Sequence, residues 1–481
     1  MRRTLITLIA AIFAWPFAAL WWTSGAPSLR AEALSQVLSI SVFSIAQAAA
    51  SAACSLAFGV LAASGIFWAG TRSRILARAV RWAALMPSAA PPVATVLTWM
   101  RLFPGVRGFG AVVGAHALIA SGLVAIAIER AVRAKISGAA ELALVEGCGR
   151  AQFWLRAVLP TLRGDAATIA LFVFAACFSS LAVPLTLGGP SAATLDVLVS
   201  QRAMMSNDWS GALGVGIIQI LFILAASALI PSAAQTQAAR PARLDLVAWA
   251  PGAAFAVLPA ILLAGALTPS AWRGALALRD DALLRSGIGR MAAASFCASV
   301  FAALACIAIL LALACARPCP FARRALVGYA TPSAALIGLA LLATFPGGAG
   351  WGLTKIALGS ALLIAPALYR LQWDSLTQGL SGQVAAAQCC GASGLTIFSR
   401  VLLPTLWRPA CALGGLAALW TWGEFAMSSI ASEKRLTLAQ AAAGLLDSYR
   451  MDAAAALIVL AMVGGAITYL LVAGAGYVDR S

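Results

Sequence analysis

The strongest constraint on this chain is a series of long apolar runs that contain almost no charge. The run from Ala166 to Leu187 holds no Asp, Glu, Lys or Arg. An α-helix crosses the bilayer core with about 20 apolar residues, whereas the strands of a transmembrane barrel alternate apolar and polar residues. These runs do not alternate, and only 10% of the chain is charged, against about 25% in soluble domains. We therefore predict an all-α integral membrane protein and exclude a soluble enzyme.

Twelve apolar windows are long enough to form transmembrane helices. They lie near residues 5–22, 38–64, 82–103, 111–129, 165–187, 210–231, 246–267, 291–314, 325–345, 352–369, 409–430 and 452–475. The first window follows Met1-Arg2-Arg3 and ends at Trp21-Trp22, an interfacial aromatic pair rather than the small-residue cleavage site of a signal peptide. We expect it to be retained as the first span.

The basic residues predict the orientation of the chain. Its formal net charge is +17, but the 33 lysines and arginines are scattered between apolar windows and form no long basic run. Nucleic acid is therefore not an expected partner. With the N-terminus inside, most basic residues fall in inner segments, as the positive-inside rule requires, although Arg273, Arg279, Arg285 and Arg290 crowd one outer loop. We predict that both termini lie in the cytoplasm.

Two inner segments of the chain repeat each other at an offset of 244 residues. Residues 156–162 and 400–406 agree at five of seven positions. The other matches at the same offset are Gly147 with Gly391, Trp154 with Phe398, and Asp208 with Asp452. Four matches at one offset indicate an internal duplication. Six spans return the chain to its starting side, so the two copies form a parallel repeat.

The polar, proline-containing stretch near the middle divides the two copies. We predict a first half at 1–232, a cytoplasmic linker at 233–245 and a second half at 246–481. Each half has six windows and its longest inner loop between the fourth and fifth of them. The predicted architecture is therefore about twelve transmembrane helices in two six-helix repeats.

The two inner loops share an order of residues that predicts two short helices on the cytoplasmic face. Alanine-rich residues favour a first helix, and Gly147 or Gly391 ends it through a positive φ. A second short helix carries the aromatic residue, and a proline marks the turn into the membrane. An exposed aromatic and small-residue surface of this kind suits docking into a groove of another protein.

The two loops resemble the EAA loops of permease subunits in bacterial binding-protein-dependent ABC importers. In the first copy the family pattern is matched by Glu141, Ala143, Gly147, Trp154, Leu159 and Pro160, and Leu142 replaces an alanine. In the second copy it is matched by Ala386, Ala387, Gly391, Phe398, Leu403 and Pro404. Ala385 stands where glutamate is usual, which removes a charge from that loop.

Other segments extend the resemblance to roughly residues 35–232 and 287–478. Leu187-Gly-Gly-Pro190, followed by Thr194 and Asp208, is similar to the outer loop of fused permeases for thiamine or ferric iron. The prolines of the third window and Gly423-Glu424-Phe425 of the eleventh also fit the family.

The resemblance implies a permease subunit in the bacterial cytoplasmic membrane. A solute-binding protein would deliver a small solute to its outer face, and two copies of a cytoplasmic ATPase would dock under the loops. The loop residues named above, together with Arg150, would make the ATPase contacts. The pocket of such permeases is often weakly selective, so the solute itself is not implied.

ATP hydrolysis by the chain itself is excluded by its lysines. A Walker A motif needs Gly-Lys followed by Ser or Thr to hold phosphate. The three lysines, Lys135, Lys355 and Lys434, follow Ala, Thr and Glu. We therefore expect no enzymatic activity and no cofactor in this chain, and ATP binding by partner subunits. No metal site is expected either, because His116 is the single histidine and the cysteine pairs lack one nearby.

Two residues inside apolar windows are candidates for the translocation path. Glu424 is costly within a bilayer and often functional there, or else belongs to an interfacial edge with Trp420 and Trp422. His116 is either a proton relay or a core histidine with satisfied hydrogen bonds. The alternative function is a secondary transporter of two six-helix halves, which requires buried acids for ion coupling. A membrane-embedded enzyme would need clustered His, Cys or acidic residues, which the single histidine disfavours.

Overall fold

The computed structural model describes eight segments of the chain. They are residues 2–27, 31–189, 193–228, 245–280, 282–316, 334–345, 350–432 and 436–476. These segments contain helices and no β-strand, so the predicted all-α class is confirmed. Most of the predicted linker, Pro190 of the outer-loop motif, part of the ninth window and the C-terminal residues lie outside the described residues.

The first half of the chain contains eleven described helices. They are α1 (Arg2–Ser24), α2 (Ala31–Arg72), α3 (Arg74–Ala89), α4 (Pro92–Leu102), α5 (Phe109–Lys135), α6 (Ser137–Val145), α7 (Arg150–Phe153), α8 (Leu159–Phe178), α9 (Ala182–Leu187), α10 (Leu195–Met204) and α11 (Trp209–Ala228). A π-helical turn, Trp154–Val158, joins α7 to α8.

The second half contains another eleven. They are α12 (Gly252–Asp280), α13 (Ala282–Ala316), α14 (Ala334–Thr344), α15 (Gly352–Leu368), α16 (Asp374–Gly379), α17 (Ser381–Cys389), α18 (Gly394–Ile397), α19 (Leu403–Trp422), α20 (Ala426–Ala431), α21 (Leu438–Asp447) and α22 (Met451–Gly474). Two π-helical turns occur here, Tyr369–Trp373 before α16 and Phe398–Leu402 between α18 and α19.

Nine helical segments in the described residues have the length and apolar composition needed to cross a membrane. The windows near 82–103, 325–345 and 352–369 instead fall on shorter helices, so twelve spans stay a prediction. The window at 82–103 is divided because Pro91 separates α3 from α4. Proline has no N–H to donate and disfavours helical backbone in the residue before it.

The chain divides into two compact units that differ from the two predicted halves. One, here the α3–α9 unit, contains residues 39–194 and 226–269; the other, the α13–α22 unit, contains residues 1–38, 195–225 and 270–481. The predicted halves describe the sequence repeat, and each half contributes residues to both units.

Helices of the α3–α9 unit pack through small residues. Helix α5 packs against α3 and α8. A Cβ added to Gly122 of α5 would lie 1.7 Å from the carbonyl oxygen of Ala84 in α3. Close backbone approach at small residues is the usual way in which membrane helices associate. Glycine at position 122 therefore sets the distance between α3 and α5.

Helices of the α13–α22 unit surround a continuous apolar core. Helix α19 packs against α13 and α22, and α13 also packs against α15. Helix α1 packs against α13 and α14. The core includes Trp373, Leu310 and Leu368, which are fully buried. These helices support the second of the two inner loops.

Candidate functional site

The two inner loops have the same secondary structure, element by element, 244 residues apart. Helix α6 corresponds to α17, α7 to α18, the first π turn to the third, and α8 to α19, and each pair begins at the same offset. The agreement continues into α9 and α20. The offset found in the sequence is therefore also the offset of the structure in these segments.

A glycine ends the first helix of each loop, as predicted. Gly147 has φ +68° and Gly391 has φ +73°, in the left-handed region. The N–H of Cys148 bonds the carbonyl of Ala143 at 2.9 Å, and the N–H of Ala392 bonds that of Ala387 at 3.0 Å. These bonds form a Schellman motif, in which the left-handed residue is usually glycine. Both glycines hold the same sharp change of chain direction.

The prolines, in contrast, do not mark a turn into the membrane. Residues Arg150–Phe178 and Gly394–Trp422 are each continuously helical over 29 residues. Pro160 and Pro404 lie in the first turn of α8 and α19, directly after the π turns. A π-type bond joins the N–H of Leu159 to the carbonyl of Trp154. This wider turn adds one residue where proline supplies no donor, so the helix continues through it.

The aromatic residues of the loops are half-buried, which corrects the predicted exposed aromatic surface. Trp154 and Phe398 lie at matching positions with intermediate exposure, and Phe398 packs against the core of its unit. The helical period turns them partly inward, beside the buried Phe153 and Ile397. Aliphatic residues are exposed instead.

Exposed aliphatic side chains are concentrated on the first loop. Leu142, Val145 and Leu155 are 59%, 86% and 66% exposed. At the same positions the second loop has Ala386, Cys389 and Ser399, and its exposed large apolar residue is Leu395. The first loop therefore has the larger apolar surface.

The predicted contact residues of both loops are at or near the surface. Glu141, Gly147, Arg150, Pro160, Ala386, Gly391 and Pro404 are exposed, and Ala143 and Ala387 are half-buried. Within the described residues neither Glu141 nor Arg150 forms an ion pair. Both charges are thus available to a partner.

A charge cluster lies at the C-terminal end of α5, close in sequence to the first loop. Glu129, only 3% exposed, accepts hydrogen bonds from Arg81 Nε at 2.8 Å and Arg133 Nε at 2.9 Å. Lys135 Nζ donates to Asp165 Oδ2 at 2.7 Å. These bonds tie α3, α5 and α8 together. Sequence reasoning missed the cluster because Glu129 and Arg81 are 48 residues apart.

Glu424 caps a short helix. It lies between α19 and α20, and its Oε1 accepts a hydrogen bond from the N–H of Met427 at 2.8 Å. Its carbonyl oxygen also accepts from Ser428 Oγ at 2.8 Å. An acceptor at this place satisfies a backbone donor that the first helical turn leaves free. This structural role stands beside the predicted role in the translocation path, which stays a prediction.

We expect glutamine to replace Glu424 without loss of stability, because its amide oxygen can accept the same bond from Met427. Glu424→Ala removes the acceptor and should lower the free energy of unfolding by about 1 kcal/mol. Thermal denaturation of the purified protein measures both effects. A drop with glutamine equal to that with alanine would contradict the capping role. Reduced uptake by a stable Glu424→Gln protein would show that the charge itself acts in transport.

His116 is buried in α5, at 4% exposure. Its Nδ1 lies 3.4 Å from Ser51 Oγ of α2, and its Nε2 has no hydrogen-bond partner among the described residues. Gln47, one turn before Ser51, donates to the carbonyl of Cys177 at 3.0 Å. The histidine therefore belongs to a small polar cluster between α2, α5 and α8. The described residues hold no group of three or more His, Cys, Asp or Glu side chains that could bind a metal.

The fold defines a class: an all-helical protein with several helices suited to a membrane. Comparison of the chain with protein-family models, with curated proteins and with solved structures gives no match. Its function is therefore argued from the loops and their surroundings.

Proposed function

We propose that the chain is the permease subunit of a bacterial ABC importer. The observation that carries the proposal is the pair of glycine-ended loops that recur at one offset in both sequence and backbone. Each loop presents a nine-residue helix, α6 or α17, followed by a long helix suited to a membrane. Such a pair offers two copies of one partner the same backbone arrangement, with the larger apolar surface on the first loop.

The exposed surface of the first loop supports docking of a protein. Leu142, Val145 and Leu155 present apolar area there, with Glu141 and Arg150 as charged neighbours. Exposed apolar groups rimmed by charge are typical of interaction sites. The partner is a cytoplasmic ATPase subunit, with a second copy at α17.

In the proposed mechanism, the ATPase subunits close on ATP and move the loops. The long helices that continue from the loops then shift, and the permease alternates between inward-open and outward-open arrangements. A binding protein at the outer face supplies the solute, of the thiamine or ferric iron type. Solute and ATP bias these states only through different affinities for each. The chain provides the path and performs no chemistry of its own.

Reconstitution distinguishes this function from ion-driven secondary transport. We expect the chain, in lipid nanodiscs with its ATPase and binding protein, to hydrolyse ATP faster when solute is added. The chain alone in proteoliposomes should take up no solute under a proton or sodium gradient. Gradient-driven uptake without ATPase subunits would overturn the proposal in favour of the secondary transporter. Omitting the binding protein is the control, because it should remove the stimulation by solute.

A further inference from the structure

An open pocket lies where three helical segments of the α3–α9 unit end. Its volume is about 270 Å³, and it is lined by Trp68, Thr71, Arg72, Arg150, Asp245, Ala248 and Ala250. Arg72 is the last residue of α2, Arg150 the first of α7, and Ala250 lies two residues before α12. The three ends therefore lie on the same side of the unit.

The pocket lies at the ends of two candidate membrane spans. Arg72 ends one candidate membrane span, Ser35–Arg72, and Arg150 begins another, Arg150–Phe178. Residues at the ends of membrane-spanning helices lie in the interfacial region beside the phosphates. Trp68, one turn before Arg72, is an aromatic residue of the kind enriched there.

The charged groups of the pocket fit a singly charged anion. The guanidinium of Arg72 lies over the ring of Trp68, 5.9 Å from its centroid, which orients it. Within the described part of the chain, neither Arg72 nor Arg150 has an ion-pair partner. Asp245 offsets one of the two positive charges. A guanidinium binds phosphate oxygens in bidentate fashion, and a carboxylate accepts hydrogen bonds from a neighbouring alcohol or ammonium.

We propose that this pocket binds a phosphodiester anion, with its oxygens on Arg72 and Arg150 and a donor group of the ligand on Asp245. A phospholipid head group supplies this phosphodiester, and a soluble phosphate offers the same anionic oxygens to the two arginines. The ligand would connect the end of α2 to the start of α7, the second short helix of the first loop. It would thereby hold that loop in place whether or not an ATPase docks there.

The second copy of the sequence repeat does not duplicate these side chains. The positions 244 residues after Trp68, Thr71, Arg72 and Arg150 are Ala312, Cys315, Ala316 and Gly394. None of these can donate to a phosphate through a charged side chain. The arginines are thus specific to the first copy and are not required by the shared loop geometry.

The test is binding of phosphatidylglycerol to the full chain, delipidated in detergent. We expect one tightly retained lipid per chain by native mass spectrometry, and thermal stabilisation that saturates with added lipid. Arg72→Gln should weaken this binding at least tenfold, since it removes a charge-assisted pair of hydrogen bonds. Arg72→Lys keeps the charge but not the bidentate geometry, and should give an intermediate affinity. If the Arg72→Gln protein is unstable, the binding measurement is made with Arg72→Lys instead.

Arg78→Gln is the matched control, because Arg78 is exposed on α3 and does not line the pocket. Its lipid affinity should equal that of the wild type. Inorganic phosphate in place of lipid distinguishes the two sources. If phosphate but not lipid stabilises the protein, and Arg72→Gln weakens this effect, the ligand is soluble. If lipid but not phosphate stabilises it in this Arg72-dependent way, the ligand is a lipid head group. Equal affinity in wild type and Arg72→Gln, or an equal loss in Arg78→Gln, would overturn the proposal.

Discussion

Replacing Gly391 or Gly147 with aspartate is expected to lower solute-stimulated ATP hydrolysis about tenfold. Both glycines have a positive φ, which costs other L-residues about 1–2 kcal/mol. Relief of this strain changes the direction in which α17 or α6 leaves the loop. A loss of about 1.4 kcal/mol in docking corresponds to a tenfold change in affinity. The measurement is ATPase activity of the assembled complex, with and without solute.

The first loop contains a second glycine, Gly149, two positions after Gly147, which serves as a control. Gly149 is equally exposed, but its φ of −70° and ψ of 151° are open to any residue, and it is the N-cap of α7. Aspartate is a favoured N-cap, so Gly149→Asp should keep full stimulation while adding the same charge. Ser393→Asp, at the N-cap of α18, is the matching control in the second loop. Stimulation that survives Gly147→Asp and Gly391→Asp would contradict a docking role for the loops.

Gly122→Val is expected to abolish folding of the α3–α9 unit. The added Cβ would lie 1.7 Å from the carbonyl oxygen of Ala84, and this neighbour is backbone that cannot rotate away. Separating α3 from α5 also strains the ion pairs between Arg81 and Glu129. We expect a cost of more than about 3 kcal/mol, the scale of severe overpacking. Size-exclusion chromatography in detergent should show no monodisperse protein.

Gly110, on the same helix, is the control for this substitution. It is exposed, and a Cβ there would meet no atom within 4 Å. Gly110→Val should therefore elute as the wild type does. A monodisperse, thermally stable Gly122→Val protein would show that α3 and α5 do not approach as closely as described.

Apolar runs alone could predict the long helices, because the length of a run and the absence of charge depend only on local sequence. They could not predict where a run is interrupted. The apolar windows 165–187 and 409–430 continue past Ser179 and Gly423, yet α8 and α19 end beside these residues and short helices follow. These ends depend on backbone hydrogen bonding and on packing against other helices.

The site was predictable where a residue type determines backbone geometry. A glycine that follows an alanine-rich helical stretch, as at positions 147 and 391, favours a positive φ, so these helix ends could be predicted from sequence. The half-buried Trp154 depends on the helical phase after the π turn, which no residue pattern specifies. The partners of Glu129 come from α3 and from its own helix α5, and only the fold brings Arg81 to it. The phosphodiester pocket likewise combines residues 68–72, 150 and 245–250.

In the proposed importer, the uninterrupted helix from Arg150 to Phe178 would act as a lever arm. With 29 residues and a rise of about 1.5 Å per residue, it is about 43 Å long, more than the thickness of the hydrocarbon core. A tilt of about 5° at the loop displaces the far end by about 4 Å, by the geometry of a rod of this length. The chain stays helical through the π turn that precedes Pro160, so no break interrupts the rod there. In the proposed importer, a small rearrangement on one face of the membrane would thus become a displacement of about 4 Å on the other.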